Sequence, residues 1–254
     1  MTDVHEDKDK IICFPSFVME MFGSFCLCYF GGLAVIHTDG IAVAFVHGLI
    51  LFFMIHIGGD ISGAHFNPAV SITLFVTGIE NWVKMLIYIA FQIIGSLLAG
   101  VLLLIKANNE KTGMGYPKPG PNTNLLAVFI FETIATFLLV VGIFTNIKRK
   151  QNATMIGLFV GIAVFIDILT VGEDTGASMN PIRALGPSIV DLDPFFNGFW
   201  IYLTAPILGA LLGAVYHEFV IKQKKSLYRD NNLDRQSNEI NDKLMTTKTF
   251  EETI

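Results

Sequence analysis

Two stretches of this sequence carry side chains capable of chemistry in an otherwise apolar chain. The first is Ser62-Gly63-Ala64-His65-Phe66-Asn67-Pro68-Ala69-Val70, and the second is Thr175-Gly176-Ala177-Ser178-Met179-Asn180-Pro181-Ile182-Arg183. Each sets a small-residue turn before Asn-Pro and a mostly apolar segment behind it. Asn is a preferred N-cap, and Pro suits the first helical position, where its missing N–H is no loss, so both stretches read as helix starts. A helix start presents unpaired N–H groups and the positive end of a dipole, which attract oxygen lone pairs and repel cations. Arg183 follows Asn180 by three residues. No nucleophile–base pair and no cluster of metal ligands accompanies these groups. The chemistry they suit is hydrogen bonding to a passing molecule, so neither an enzyme nor a cofactor is expected.

The elements that must position these groups are membrane spans. Apolar residues make up 52% of the 254 residues and charged residues 15%, against about a quarter charged in a soluble domain; mean hydropathy is +0.57. Charges gather in residues 1–10, 106–118, 148–150 and 222–254. Between them run apolar stretches of roughly 20 residues, enough to cross about 30 Å of hydrocarbon. Six spans are expected, over residues 14–36, 41–59, 82–105, 125–147, 154–171 and 199–221. The apolar tails behind the two Asn-Pro pairs are too short to cross. The fold class is therefore all-α membrane protein, with six transmembrane helices and two half-helices. The net charge of −5 comes largely from the tails, and nothing suggests nucleic acid. Cys13, Cys26 and Cys28 lack metal-ligand partners and read as packing residues. No cleavable signal peptide is evident, because the opening residues are polar and acidic.

The chain repeats itself. Glu20-Met-Phe-Gly-Ser-Phe25 matches Glu132-Thr-Ile-Ala-Thr-Phe137, Asn67 matches Asn180, and Gln92-Ile-Ile-Gly95 aligns with Pro206-Ile-Leu-Gly209, at offsets of 112 to 114 residues. Three spans per repeat is an odd number, so the second repeat (about 125–221) enters from the side opposite the first (about 14–105). One half-helix then comes from each face, and their N-termini meet near the midplane. A water held between two such donor ends cannot relay a proton, and cations are repelled. Lys148, Arg149 and Lys150 share one connector, and Lys222, Lys224 and Lys225 follow the last span. The positive-inside rule puts both groups, and with them both termini, in the cytoplasm. Residues 1–13 and 222–254 are then cytoplasmic tails around a channel domain at 14–221, and the Asn152-Ala153-Thr154 sequon carries no glycan.

The doubled Asn-Pro motif, the doubled Glu-x-x-x-Ser/Thr-Phe pattern and Arg183 together resemble the aquaporin (major intrinsic protein) family over residues 14–221. The resemblance implies a passive channel for water that excludes protons and ions, working as a homotetramer in the lipid bilayer. It places the motif residues Asn67, Pro68, Ala69, Asn180, Pro181 and Ile182 at the midplane. The narrowest constriction falls at His47, Ile168, Ala177 and Arg183. Arg183 has independent support, because a cation near the membrane interior is costly and usually faces a cavity. Glu20 and Glu132 become structural acids that accept bonds from loop amides, and His65 ties down the first loop. The four constriction residues are most similar to tonoplast-type relatives, and plasma and vacuolar membranes are both open as the location.

Water is the first permeant expected, since Ala184 and Phe199-Trp200 follow the water-channel pattern. A broader channel for glycerol, urea or ammonia is the alternative. A secondary transporter shares inverted repeats and broken helices but needs ion-coupling carboxylates at the midplane. Four positions depart from the family pattern. Ile182 replaces the usual Ala and is expected to add bulk where the half-helices meet. Glu173 and Asp174 would make one vestibule negative. Asp167, beside Ile168, is either bonded to a neighbouring helix or part of a pH-dependent gate with His47.

Overall fold

The computed structural model describes residues 13–106, 114–192 and 197–222. Among these the chain is helical: α1 Phe14–His37, α2 Gly40–Gly58, α3 Pro68–Val76, α4 Trp82–Lys106, α5 Leu125–Lys148, α6 Ala153–Thr175, α7 Pro181–Val190 and α8 Phe199–Tyr216. Six of them (all but α3 and α7) are long and apolar enough to cross a membrane. At about 1.5 Å per residue, nine or ten residues reach only about 15 Å, so α3 and α7 are half-helices. The described residues divide after Ala214, and Val215–Lys222 belong to a second unit. In the second unit the described part ends in a π-helical turn, His217–Lys222. The expected tails lie outside the described residues except for Cys13 and Lys222, as do residues 107–113 between the expected third and fourth spans.

Each terminus has a local cause. Asn67 and Asn180 are extended N-caps whose side chains accept from Ala69 N and Ile182 N, and a Pro follows each. Asn124 and Asn152 cap α5 and α6 in the same way. The sixth helix in the chain runs four residues past the expected end at Val171, through Glu173 and Asp174, and stops where Gly176 turns left-handed at φ 79°. The two acids do not break a helix that is emerging from the hydrocarbon; a residue without a Cβ, free to take positive φ, does.

Packing follows the repeat. Helices α1, α2 and α4 pack together, as do α5 and α6, and α2 lies along α6 between the two groups. A Cβ on Gly95 would meet Met21 O at 2.1 Å, and one on Gly209 would meet Thr133 O at 2.2 Å. These matched glycines let α4 close onto α1 and α8 onto α5. Small residues at such crossings allow the backbone approach on which helix association in lipid depends. The outer faces stay apolar and exposed, as at Phe45, Leu49 and Phe53 on α2 or Leu98 and Leu102 on α4, which suits hydrocarbon rather than water. Cys26 and Cys28 are buried, Cys26 within the main apolar cluster.

Candidate functional site

The two half-helices meet head to head. Asn67 Nδ2 donates to Met179 O at 2.8 Å, and Asn180 Nδ2 donates to Phe66 O at 2.8 Å. Each cap therefore reads its own helix with its oxygen and the opposite loop with its nitrogen. An amide nitrogen carries two hydrogens, so each Asn keeps one N–H beyond this cross-brace. Both side chains border a single cavity of about 80 Å³. At about 10–15 Å³ per water, that is space for roughly five to eight molecules.

The loops that lead into the caps are strained and held. Ala64 and Phe66 in the first, and Ala177 and Met179 in the second, take positive φ of 53°, 48°, 42° and 53°. Such conformations cost on the order of 1–3 kcal/mol each for residues with a Cβ and persist only where the surroundings impose them. The imposing groups are the two buried glutamates. Glu20 accepts from Ser62 Oγ (2.6 Å), His65 N (3.0 Å), Phe66 N (2.7 Å) and Gln92 Nε2 (2.8 Å). Glu132 accepts from Thr175 Oγ1 (2.7 Å), Ser178 N (2.8 Å) and Met179 N (2.9 Å). Tyr88 donates to Ser62 O and Tyr202 to Thr175 O, both at 2.7 Å. Sequence reasoning missed this tyrosine pair, although its offset of 114 residues extends the same repeat.

His47, Ile168, Ala177 and Arg183 all border the cavity. Ile168 and Arg183 also border a wider cleft of about 470 Å³, walled by Thr38, Asp39, residues 115–121 and Glu173. They therefore stand between cleft and cavity. Arg183 is aimed by two bonds from Nη1, to Gly176 O and Ala177 O at 3.0 Å. His47 Nδ1 lies 2.8 Å from Val43 O. A carbonyl can only accept, so Nδ1 carries the hydrogen and the neutral ring offers Nε2 as an acceptor. That Nε2 is buried with no partner, in space that a Cβ on Gly31 would invade at 2.4 Å. Arg183 thus supplies donors beside the passage, while Nε2 of His47 is turned toward Gly31 on α1.

His65 also borders the cavity, with Nδ1 3.0 Å from Ser71 Oγ, while Gln92 Nε2 lies 3.0 Å from the same oxygen. An amide nitrogen must donate, which leaves the Ser71 hydrogen for His65. Glu173 and Asp174 differ in use. Glu173 lines the cleft, whereas Asp174 is tied to Thr123 Oγ1 at 2.9 Å and accepts from Gly120 N through its carbonyl. His56 lies away from the cavity and pairs with Thr154 Oγ1.

One expectation is overturned. Ile182 adds no bulk to the passage, because its side chain is fully buried behind α7 against Cys28 and Ala99. Its carbonyl accepts from Ser96 Oγ. The residue after Asn-Pro points away from the lumen, so its size is absorbed by α1 and α4.

The chain, built twice and joined by crossed asparagines, matches one family model: Major intrinsic protein, over residues 8–217. The chain belongs to that family. Members of the family are channels, and this one is a multi-pass membrane protein by its six apolar helices. Among curated relatives, this major intrinsic protein is 34% identical over 180 residues to "Probable aquaporin NIP-type" of Nicotiana alata, covering 70% of the chain and 65% of that protein. It is 36% identical over 183 residues to Nodulin-26 of Glycine max, again covering 70% and 65%. The match thus spans about 65% of the length of these relatives. Both are of the nodulin-26-like type, so they give no support to the tonoplast-type likeness that the four constriction residues suggested. The aquaglyceroporin from Plasmodium falciparum superposes with a TM-score of 0.78 at 26% identity, covering 84% of this chain and 98% of that one.

Proposed function

We propose that this chain is a passive channel for water that excludes protons and ions. The observation that carries the reading is the crossed pair of asparagine bonds, Asn67 Nδ2 to Met179 O and Asn180 Nδ2 to Phe66 O. It fixes two helix N-termini against each other and leaves each amide one hydrogen. A water between them accepts from both sides and cannot pass a proton along the file, while the dipole ends and Arg183 repel cations. In this reading Asn67, Pro68, Ala69, Asn180 and Pro181, with Ile182 packed behind them, form the central barrier, and His47, Ile168, Ala177 and Arg183 form the selectivity filter. Glu20, Glu132 and His65 hold the loops.

A broader reading, a channel that also takes glycerol or urea, rests on two observations. No Phe, Tyr or Trp stands among the four filter residues. The structural relative with TM-score 0.78 is named an aquaglyceroporin. Stopped-flow shrinkage of proteoliposomes separates the two readings. Sucrose as osmolyte reports water, and glycerol, urea or ammonium salts report the solutes. Fast water flux with no solute entry favours the narrow reading, and rapid re-swelling in glycerol favours the broad one. Saturable uptake without water flux would replace both with a transporter.

The remaining expectations belong to the same proposal. The basic connector Lys148–Lys150 puts that face, both termini and the two tails in the cytoplasm of a plasma or vacuolar membrane. The working unit is a homotetramer with one pore per subunit. Cysteine-accessibility labelling at Gln151 in sealed cells tests the sidedness, and native mass spectrometry tests the assembly.

A further inference from the structure

The two loops differ in what holds their entrance. In the first repeat the carbonyl of Ile61 accepts from Ser16 Oγ on α1 at 2.8 Å. The position matching Ser16 on α5, 112 residues later, is Val128, which has no side-chain donor to offer. The carbonyl matching that of Ile61, 113 residues later, belongs to Asp174, and it is held from elsewhere. Gly120 N donates to it at 2.8 Å, and Asp174 Oδ1 accepts from Thr123 Oγ1 at 2.9 Å. Both donors lie in the segment 114–123 between the repeats. Asp167 has no such partner: its Oδ2 is buried without a hydrogen bond, so that oxygen does not make the bond to a neighbouring helix that was one of its two expected uses.

The segment 114–123 is itself fixed at several points. At Gly115 it lies so close to α1 that a Cβ would meet Gly32 O at 2.3 Å. Tyr116 donates to Asp191 Oδ2 at 2.8 Å, at the C-cap of α7. Pro117 is buried and stands against Gly176, where a Cβ would come within 2.7 Å of Pro117 Cα. Thr123 N donates to Gly120 O at 3.1 Å, so both donors to Asp174 sit on one closed turn. The segment therefore straps the end of α6 to the end of α7, and the stretch between those ends carries Arg183.

Arg183 depends on that stretch for its aim. Its Nη1 is held by the carbonyls of Gly176 and Ala177, residues at φ of 79° and 42°. A strained pair of this kind keeps its carbonyl directions only while the surroundings impose them. Glu132 fixes the flank that follows, through Ser178 N and Met179 N. The flank that precedes is Asp174, two residues before Gly176. With Asp174 released, Gly176 is free to turn and the guanidinium loses one of its two acceptors.

We propose that Asp174 is a positioning residue for the filter: bonded to Thr123 and Gly120, it locks the carbonyls that aim Arg183 and so keeps solutes larger than water out of the passage. The inference rests on the reading of the chain as a water channel. It assigns the work to the hydrogen bonds of Asp174 and not to its charge.

The test is the ratio of urea to water permeability in proteoliposomes holding the full chain. Asp174→Leu and Thr123→Val each remove the side-chain bond. Each is expected to raise the ratio at least about threefold, the factor equivalent to one average side-chain hydrogen bond inside a membrane protein. Asp174→Asn keeps the accepting oxygen without the charge, and Thr123→Ser keeps the hydroxyl, so both are expected to retain the wild-type ratio. A ratio unchanged in Asp174→Leu and Thr123→Val, or raised equally in Asp174→Asn, overturns the clamp, while fast water flux upholds the channel reading. Hydrogen–deuterium exchange gives a readout independent of flux. Faster exchange over residues 175–183 in Asp174→Leu than in Asp174→Asn, with residues 62–70 unchanged, supports the clamp. Equal exchange in the two variants overturns it, even if the chain passes no water.

Discussion

The two loops are built on one plan and finished differently. In both, a glutamate on the first helix of the repeat gathers a hydroxyl and two successive loop amides, a tyrosine secures the loop's first carbonyl, and an asparagine crosses to the other loop. The differences lie in what surrounds that plan. Glu20 has a fourth donor in Gln92, which also reaches Ser71. The equivalents of Gln92 and Ser71 are Pro206 and Ala184, and Ala184 sits in an apolar cluster with Val128, Phe199 and Ala205. Where the first loop has Val70 the second has Arg183, and where the first repeat has Met54 the second has Asp167. The duplicated positions build the barrier, and the unduplicated ones decide what it does. The first loop is the more firmly held; the second carries the charge.

The strongest way to break this comparison is to remove a glutamate. Glu20→Ala and Glu132→Ala each leave two buried loop amides without an acceptor, at about 1–3 kcal/mol apiece, and free a backbone held at positive φ. Neither variant is expected to give monodisperse protein on size exclusion in detergent, and the loss is expected to be more severe for Glu20, which has four donors. Recovery of either at the wild-type level would show that the loops hold themselves.

Next in size is the exchange of Val70 and Arg183 roles. Arg183→Ala is expected to speed glycerol and urea entry several-fold and to let protons leak, read by a pH-sensitive dye in the lumen. Val70→Ala, at the matching position, is expected to leave both unchanged. Equal effects would mean that the loops are equivalent after all.

Ile182→Ala separates scaffold from lumen. The side chain fills space between α7 and α1–α4, and deleting it leaves a hole costing about 2 kcal/mol or more. A fall in thermal midpoint with unchanged water permeability is the expected result; faster flux would put Ile182 back in the passage.

How much of this was legible beforehand depends on whether a feature repeats. The Asn-Pro helix starts, Glu20 with Glu132 and the crossing glycines could be read because each occurs twice at one offset, and Tyr88 with Tyr202 was open to the same test. The direction of Ile182 was not legible. A residue at the second position of a half-helix faces lumen or lipid-side scaffold according to the helix rotation, which tertiary packing decides. The crossed bonds from Asn67 to Met179 and from Asn180 to Phe66 were also hidden, because they join residues 112 and 114 apart, and sequence gives no distance between loops from opposite faces. The left-handed turns at Phe66 and Met179 run against local preference, and only the glutamates behind them explain why they persist.

The smallest expected effect bears most directly on the comparison. Gln92→Leu removes the donor that Glu20 has and Glu132 lacks, and so converts the first loop to the second loop's pattern. Side-chain hydrogen bonds inside a membrane protein are worth about 0.6 kcal/mol on average and up to about 1.7. Gln92 bonds both Glu20 and Ser71, yet its own Oε1 is buried without a partner, so deleting the side chain also removes an unsatisfied acceptor. The net loss is therefore expected to be under about 1 kcal/mol, seen as a small drop in thermal midpoint with little change in water flux. The Ser71 hydroxyl stays free to hold His65, so the first loop keeps its shape. A large loss would mean that the fourth donor is essential to the first loop, and that the second loop, which manages with three, relies on some further support.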